Sequence, residues 1–294
     1  MKVLVTNNTL ANLGGSETYA YALIKELSKR RDIQLDAFSQ HIGLVGNKLK
    51  SEGISVINNI KDEYDLILAS HTSTTQLLTG FNGKKVQTCH GVFLPLEQPF
   101  PGMDKYVSIT KEVYDHLSNK GFDSTIIYNG IDCDRFRPIN PLNKKLKNVL
   151  SLVQNEDLNL LLAEVCKEMG YNFNRLNKFV NPVFNVEDLI NQSDLVITLG
   201  RGAYESMACG RNVFVLDKRP YINKPPLGDG IITPKNINRI LENNCSGRYT
   251  NTIYDKEMIK REFINYDSSY GEFNRYFALE NLNIQKQADK YLNL

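Results

Sequence analysis

The stretch DLVITLGRGAYESMACGRNVFV, residues 194–215, decides the fold. Its apolar run at residues 194–199 predicts a buried strand, a second apolar run begins at Asn212, and a short helix of small residues lies between them. Arg201, flanked by two glycines, and Glu205 occupy the junction where the first strand ends and the helix begins. Strands buried on both faces and separated by helices form parallel sheets, so the stretch predicts one step of a doubly wound α/β domain.

The same alternation of apolar runs and helical periodicity fills the first part of the chain. In the first helix, Ala20, Leu23, Ile24 and Leu27 form one apolar stripe, and Ser16 is available as an N-cap. Seven runs predict strands, at residues 2–6, 33–38, 54–57, 65–70, 84–88, 106–109 and 124–128. The sequence therefore predicts a parallel, doubly wound sheet for the first domain.

A proline- and lysine-rich stretch, residues 134–147, precedes a second round of alternation and marks a domain boundary. We expect an N-terminal domain of residues 1–139 and a C-terminal domain of residues 140–275. From about residue 235 the sequence predicts helices only. The amphipathic segment 276–294 is expected to form the last of them.

Composition limits the class of protein. The 294 residues are 41% hydrophobic and 23% charged, with a formal net charge of +2, which allows a sizeable core and argues against a nucleic-acid partner. The five cysteines contain no C-x-x-C pair, which argues against a disulfide framework or a zinc site. Without a signal sequence or 18 consecutive apolar residues, the chain is expected to be cytoplasmic and non-spanning, with peripheral membrane contact left open.

Ligands of doubly wound sheets bind beyond the carboxyl ends of the strands, and two loops of the first domain draw attention there. Gly14 and Gly15 precede the first helix, whose exposed N–H groups suit a phosphate, although a plain turn is an equally good interpretation. His90 follows a strand directly. A lone histidine is by default a structural residue, so its position makes it a candidate only.

Arg201 and Glu205 form the third candidate. A carboxylate can accept hydrogen bonds from both hydroxyls of a ribose, and a guanidinium can fork onto phosphate oxygens. A carboxylate in the first turn of a helix is also favoured by the helix dipole, so a structural role stays open for Glu205. Together the two side chains predict a site for a nucleoside diphosphate.

Five segments carry a resemblance to a known family: NLGGSETYAYALIKEL, CHGVF, VSITKEVYDHL, IIYNGIDCDRFRP and the opening stretch. In this order they resemble the family-4 glycosyltransferases, retaining enzymes of the GT-B fold, over most of residues 1–216. The resemblance implies two Rossmann-like domains facing a cleft, with a C-terminal helix that crosses back to the first domain. It also implies an acceptor bound mainly by the first domain and a nucleotide-sugar donor bound mainly by the second.

The resemblance also implies roles for individual residues. Glu205 would hold the donor ribose, and His90 would line the sugar pocket near the reacting carbon. No metal or other cofactor is implied, and Asp132 and Asp134 are interpreted as hinge residues. The implied donor-binding set is Gly14, Gly15, Lys111, Asn129, Arg201, Gly202 and Glu205.

The chain departs from the family pattern at the donor site. Ile197 stands where the family has a second glutamate, and Gln154 and Asn155 stand in the loop where it commonly has an arginine and a lysine. A departing diphosphate needs a balancing positive charge. Arg201 is the first candidate for that charge, with Arg211, Lys218 and Arg219 as reserves.

The predicted reaction moves a sugar from a nucleotide-diphosphate sugar to an acceptor hydroxyl with retention of anomeric configuration. The acceptor class stays open between glycan, lipid, small molecule and protein. A nucleotide-sugar epimerase of the same fold and a catalytically inactive nucleotide-sugar-binding module are the alternatives. A nicotinamide dehydrogenase is disfavoured because neither domain carries G-x-G-x-x-G.

Overall fold

A computed structural model describes residues 1–60, 63–218 and 225–294 of the protein. Within these ranges the chain forms two compact units, one of Met1–Gly130 with Ile284–Leu294 and the other of Ile131–Asn283. Each unit is built on its own sheet, and the strands at the centre of each sheet are parallel. The α/β class with two Rossmann-like domains is thereby confirmed.

The first unit holds a seven-stranded sheet in which every pairing is parallel. Its strands are β1 (Lys2–Thr6), β3 (Gln34–Phe38), β5 (Ser55–Ile57), β6 (Leu66–Ser70), β7 (Lys84–Cys89), β8 (Lys105–Ser108) and β9 (Ser124–Ile126), and two short strands, β2 (Thr9–Leu10) and β4 (His41–Ile42), pair apart from them. Its helices are α1 (Gly15–Ser28), α2 (Leu44–Ser51), α3 (Thr72–Thr75), α4 (Lys111–Asn119) and the C-terminal α11 (Ile284–Leu292).

The strand order of this sheet is β5-β3-β1-β6-β7-β8-β9. The chain therefore builds outward from β1 in one direction, returns to the other side of β1 with β6, and continues the opposite way. All seven predicted strands are confirmed. The β2–β4 pair was not predicted, because a strand of two residues shows no periodicity.

The apolar stripe of α1 is confirmed, since Ala20, Leu23 and Ile24 are each almost fully buried. The predicted cap of this helix was wrong. The helix begins at Gly15, and Ser16 lies inside its first turn, where its hydroxyl donates to the Glu17 carboxylate at 3.0 Å. A hydroxyl beyond the N-cap position cannot reach the orphan N–H groups, so this helix starts without a side-chain cap.

The second unit holds a six-stranded sheet in the order β11-β10-β12-β13-β14-β15. Its strands are β10 (Asn148–Ser151), β11 (Asn172–Arg175), β12 (Leu195–Thr198), β13 (Asn212–Asp217), β14 (Leu227–Ile231) and β15 (Thr252–Ile253). Its helices are α5 (Glu156–Met169), α6 (Val186–Asn191), α7 (Arg201–Ala208), α8 (Ile237–Glu242), α9 (Lys256–Ile264) and α10 (Ser269–Phe277). The second sheet also starts from an inner strand, β10. The chain then adds β11 on one side of β10 and β12 on the other.

The prediction that only helices follow residue 235 was wrong, because β15 pairs antiparallel with β14. The strand β14 was not predicted from the sequence either, because two of its five residues are glycines. Gly230 has a φ of +81°, and a Cβ atom at Gly228 would lie 2.6 Å from the Tyr254 ring. Glycine weakens the sequence signal of a strand, yet within β14 it permits the positive φ of residue 230 and the close approach of Tyr254 to residue 228.

The boundary between the units lies between Gly130 and Ile131, earlier than the predicted position after residue 139. The intervening residues are bonded to the second unit. Arg135 contacts the Glu187 carboxylate at 2.8 Å, and the Asn143 amide N–H donates to Asp194 at 3.0 Å. The proline- and lysine-rich composition indicated a linker, whereas these contacts make it part of the second unit.

The return of the last helix to the first domain is confirmed, although it begins at Ile284 rather than near residue 276. A Cβ atom at Gly130 would lie 2.4 Å from Ile284 Cδ1, so glycine permits this packing. In the interior, the Tyr291 hydroxyl accepts a hydrogen bond from Tyr19 at 2.7 Å and lies 2.9 Å from the Thr88 hydroxyl. These three buried hydroxyls join α11 to α1 and β7.

The described residues contain no helix long and apolar enough to cross a membrane. All five cysteines are buried with free thiols. Burial raises the pKa of the Cys89, Cys166 and Cys209 thiols to about 12, which disfavours the reactive thiolate.

We predict that Tyr291→Phe destabilises the first unit by about 1–3 kcal/mol, because the buried hydroxyls of Tyr19 and Thr88 lose a shared partner. The change is measured as a lower midpoint of urea unfolding. Tyr276→Phe is the matched control, since Tyr276 is 66% exposed. This variant should lower the free energy of unfolding by no more than about 0.5 kcal/mol. Equal midpoints for the two variants would show that the hydroxyl cluster contributes nothing.

Candidate functional site

The strand order of the second sheet reverses between β10 and β12, and the loops that follow these two strands diverge at that point. The loop after β12 turns at Gly200, whose φ is +56°, and leads directly into α7. The N–H of Gly200 donates to the Cys245 carbonyl at 2.9 Å. This bond ties the first turn of α7 to the segment that follows α8.

Arg201 and Glu205 form an ion pair along one turn of α7. Arg201 Nε lies 3.0 Å from Glu205 Oε1, and both residues are only 8% exposed. Burial raises the pKa of the Glu205 carboxyl above its ordinary value, while the charges of Arg201 and then Arg135 oppose that rise. The two side chains predicted to face ribose and diphosphate therefore contact each other.

A second ion pair, not predicted from the sequence, contributes to the electrostatics of Glu205. Arg135 binds the Glu187 carboxylate through two contacts of 2.8 Å, and its guanidinium lies 4.9 Å from the ring centres of both Phe136 and Phe184. The sequence offered one signal, because Arg135 lies within the IIYNGIDCDRFRP segment of the resemblance. The pair places one further positive and one further negative charge near Glu205.

Gly202 has a packing explanation. A Cβ atom there would lie 2.3 Å from Thr198 Oγ1, so the missing side chain allows α7 to pack closely on the end of β12. Ile197, at the position of the family's second glutamate, is fully buried in β12. A glutamate at that position would bury its carboxylate in the apolar interior, which is energetically costly. The structure therefore favours an apolar residue there.

The loop after β10 carries no cation. Gln154 donates to the carbonyls of Leu152 and Leu176 and accepts from the N–H of Lys178, while Asn155 caps α5. Both amides therefore serve the local structure. At the switch point of the second sheet, Arg201 is the cation that the described loops supply.

The reserve candidates for the balancing charge are Arg211, Lys218 and Arg219, and the two that the structure describes differ in burial and in contacts. Arg211 is 2% exposed and its guanidinium binds buried backbone carbonyls. This burial does not support a role in balancing the charge of a ligand. Lys218 lies 3.3 Å from the Asp157 carboxylate, and Arg219 lies outside the described residues. The guanidinium of Arg211 donates to the carbonyl oxygens of Cys209, Ser193 and Asn140.

The first unit has a polar cluster where β6 and β7 end. His90 is 9% exposed, its Nε2 lies 3.1 Å from the Ser70 hydroxyl, and the Tyr19 ring meets it edge-on at 5.1 Å. His71, directly after β6, has its ring centre 5.6 Å from that of His90. Sequence reasoning selected His90 and missed His71, although both histidines immediately follow a buried strand.

Gly14 is the N-cap residue of α1, and the space where a Cβ atom of Gly15 would lie is open. The Glu17 carboxylate lies against Gly14, with Oε2 2.1 Å from where a Cβ atom would be. A carboxylate in the first turn already complements the positive end of the helix dipole. It would repel a phosphate at the same place, which favours an uncharged ligand group at this loop.

Lys111 and Asn129 lie at the ends of β8 and β9 and differ in their surroundings. The Lys111 ammonium is exposed and pairs with Asp115, one turn further along α4. Asn129 is 6% exposed, and its Oδ1 has no hydrogen-bond partner among the residues that the structure describes. Of the predicted donor-binding residues, only Arg201, Gly202 and Glu205 share one helix.

The Asp132–Asp134 segment forms a turn. Asp132 Oδ1 accepts hydrogen bonds from the N–H groups of Asp134 and Arg135, both at 3.1 Å. An aspartate that binds its own backbone two residues on stabilises a chain reversal. Throughout residues 1–60, 63–218 and 225–294, no three His, Cys, Asp or Glu side chains are grouped so as to hold a metal ion.

The chain has the GT-B fold of solved glycosyltransferases. It is similar to Anabaena HepE in complex with UDP-glucose, with a TM-score of 0.68 and 12% identity over 100% of this chain and 98% of that one. It is also similar to a glycosyltransferase from Rickettsia africae ESF-5, with a TM-score of 0.66 and 15% identity over 99% and 97% of the chains.

A third similar structure is the UDP-GlcNAc 2-epimerase from Neisseria meningitidis bound to UDP-GlcNAc, with a TM-score of 0.59 and 13% identity over 100% and 99% of the chains. No protein-family model matches the chain, and no curated protein matches it in sequence. At these identities the likeness establishes the fold. The reaction has to be argued from the residues.

We predict that Glu205→Gln becomes more stable relative to wild type as the pH rises above 4.5. The pKa of Glu205 is raised by burial from its ordinary 4.5, so folding takes up a proton between 4.5 and the raised value. The free energy of unfolding of the wild type therefore falls with rising pH in that window, and glutamine removes this component. The measurement is urea unfolding of both proteins between pH 4 and pH 8.

Arg201→Met should have the opposite effect. It removes the positive charge that most strongly lowers the pKa of Glu205, so the stability of this variant should fall more steeply with rising pH than that of the wild type. Three parallel stability curves would contradict the assignment of a buried, proton-linked pair.

Proposed function

We propose that the protein is a retaining, family-4-like glycosyltransferase that moves a sugar from a nucleotide-diphosphate sugar to an acceptor hydroxyl. The observation that carries this proposal is the buried Arg201–Glu205 pair at the strand-order reversal of a Rossmann-like domain. Ligands of such sheets bind at that place. A carboxylate and a guanidinium side by side there match the hydroxyl and phosphate groups of a nucleotide.

In this proposal the Glu205 carboxylate accepts hydrogen bonds from the ribose hydroxyls. Its Oε1 lies 3.0 Å from Arg201 Nε, which fixes the position of the carboxylate. Holding the carboxylate in place before the ligand arrives lowers the entropy lost on binding. The planar guanidinium of Arg201 has the fork geometry that binds phosphate oxygens.

The proposed chemistry breaks the bond between the anomeric carbon and the diphosphate oxygen, which leaves with the bonding electron pair. The acceptor hydroxyl attacks the same face of the sugar and gives its proton to the departing diphosphate. Arg201 would stabilise the charge that grows on the leaving group, and no metal ion is included. His90, held by the Ser70 hydroxyl, would line the sugar pocket, and the acceptor would bind the first unit.

The similar structures support the choice of donor. HepE is in complex with UDP-glucose and the Neisseria enzyme is bound to UDP-GlcNAc, which makes uridine diphosphate sugars the first compounds to test. We place the reaction in the cytoplasm, since five buried free thiols suit a reducing compartment.

A catalytically inactive nucleotide-sugar-binding module is the second candidate. It is favoured by the loop after β10, where two engaged amides stand in place of the arginine and lysine of the family. With few cations at the switch point, stabilisation of a departing diphosphate rests on Arg201. A module without turnover would bind the same ligand through Glu205.

Thermal stabilisation by UDP-glucose and by UDP-GlcNAc, together with an assay for released UDP, separates the candidates. Release that requires an added acceptor supports transfer. A changed sugar without any acceptor identifies an epimerase, and stabilisation without turnover identifies a binding module. If neither compound stabilises the protein, the nucleotide-sugar proposal is wrong for uridine donors.

We predict that Glu205→Ala weakens binding of the stabilising nucleotide sugar by about 10- to 100-fold, because at least one charge-assisted hydrogen bond of about 1.5–3 kcal/mol is lost. Isothermal titration calorimetry measures the change. Glu257→Ala is the matched control, since that carboxylate is 67% exposed on α9 and should leave the dissociation constant unchanged. Equal dissociation constants for the two variants would show that Glu205 does not bind the nucleotide sugar.

A further inference from the structure

His71 lies at the place where the strand order of the first sheet reverses. The reversal falls between β1 and β6, and His71 is the first residue after β6. Asn7 and Asn8 follow β1 directly across the same gap. This is the position in the first sheet that Arg201 and Glu205 occupy in the second, and it is where doubly wound sheets bind their ligands.

The backbone of His71 is strained. Its φ of +76° and ψ of +140° lie near a region that is essentially restricted to glycine. The carbonyl of His71 accepts hydrogen bonds from the N–H groups of Thr74 and Thr75 at 3.1 and 3.2 Å, which hold this conformation. Glycine would satisfy the turn at lower cost, so a histidine here indicates a use for the imidazole.

The imidazole of His71 is held as one neutral tautomer. Its Nδ1 lies 3.4 Å from the N–H of Asn8, which donates to it, so Nε2 carries the ring proton. The residue is 4% exposed, and burial lowers its pKa to about 4. At neutral pH the ring therefore offers an uncharged N–H donor.

Asn7 directly precedes Asn8, the residue that donates to His71, and carries a buried acceptor. Asn7 is 1% exposed, and its Nδ2 donates to the Thr9 carbonyl at 3.0 Å. Its Oδ1 has no hydrogen-bond partner among the residues that the structure describes. An uncharged donor and an uncharged acceptor suit a hydroxyl group, which can accept from one and donate to the other.

We propose that His71 is a ligand-binding residue of the first unit, whose Nε2–H donates to a hydroxyl oxygen of a neutral carbohydrate. This rests on the proposed function, since the carbohydrate is either the transferred sugar or the acceptor. The Glu17 carboxylate at the start of α1, in the same unit, is consistent with a ligand group that carries no negative charge.

His71→Gly and His71→Ala test whether the imidazole serves the fold or the ligand. Both remove the ring, but only glycine removes the strain, so His71→Gly should melt about 2–8 °C above His71→Ala. His71→Gly should also melt within a few degrees of wild type. A large loss of stability in His71→Gly would show that the ring is a structural element and would overturn the proposal.

The ligand is tested by ¹⁵N resonances of the imidazoles in the full chain, assigned with single variants of the four histidines. UDP, UDP-glucose, UDP-GlcNAc and the methyl glucosides are titrated separately. We expect a sugar-bearing compound to move the His71 Nε2 resonance while UDP does not. A response to the UDP-sugars assigns the transferred sugar, and a response to the methyl glucosides assigns the acceptor.

Movement with UDP alone, or no movement with any of these compounds, would overturn the proposal. His71→Gly should lower the affinity for the responding compound at least about tenfold, as expected for one lost hydrogen bond to a buried donor. His41→Gly is the matched control, because His41 is exposed. If UDP-glucose still stabilises both proteins while the responding compound binds wild type and His71→Gly with equal affinity, the nucleotide-sugar proposal survives and the His71 proposal fails.

Discussion

The strand order reverses once in each sheet, and this reversal determines where each unit can hold a ligand. Two parallel strands that start at the centre of a sheet and send their connections to opposite sides leave a gap beyond their carboxyl ends. In the first sheet the gap follows β1 and β6, and in the second it follows β10 and β12. His71 lies at the first of these places and the buried Arg201–Glu205 pair lies at the second.

The two gaps differ in their electrostatics. The second sheet carries a buried carboxylate and guanidinium, whose removal from water is costly and is balanced only in part by their mutual attraction. The first sheet carries a neutral imidazole and a carboxamide oxygen. A charged pair suits a ribose and a diphosphate, whereas neutral groups suit hydroxyls, so the division of charge matches the two halves of a nucleotide sugar and its acceptor.

Much of the fold could be predicted because it rests on local patterns. Buried strands showed apolar runs, and the stripe of α1 showed helical spacing. The strand β14 could not be predicted, because Gly228 and Gly230 are there for contacts with distant side chains. The predicted N-cap of α1 was wrong for the opposite reason, since Ser16 met a local rule but the N-cap is Gly14, two residues earlier.

The location of Arg201 and Glu205 at the junction between β12 and α7 could be predicted from the sequence, whereas their contact with each other was not. Arg201 and Glu205 were each assigned to a ligand group, although their spacing of four residues is also the spacing of a helical ion pair. His71 was not predicted, because it is distinguished by its strained backbone angles. The φ and ψ of a single residue cannot be inferred from the sequence pattern. Gly202 was expected to approach a ligand, and the structure explains its missing side chain by packing on Thr198.

In the proposed function, Glu205 holds the ribose of a nucleotide sugar at the strand-order reversal of the second sheet. A crystal structure of the full chain with UDP-glucose would show this contact. We expect ribose hydroxyls within about 3 Å of the Glu205 carboxylate, with Arg201 still beside it. A nucleotide bound elsewhere, with Glu205 contacting Arg201 alone, would contradict it.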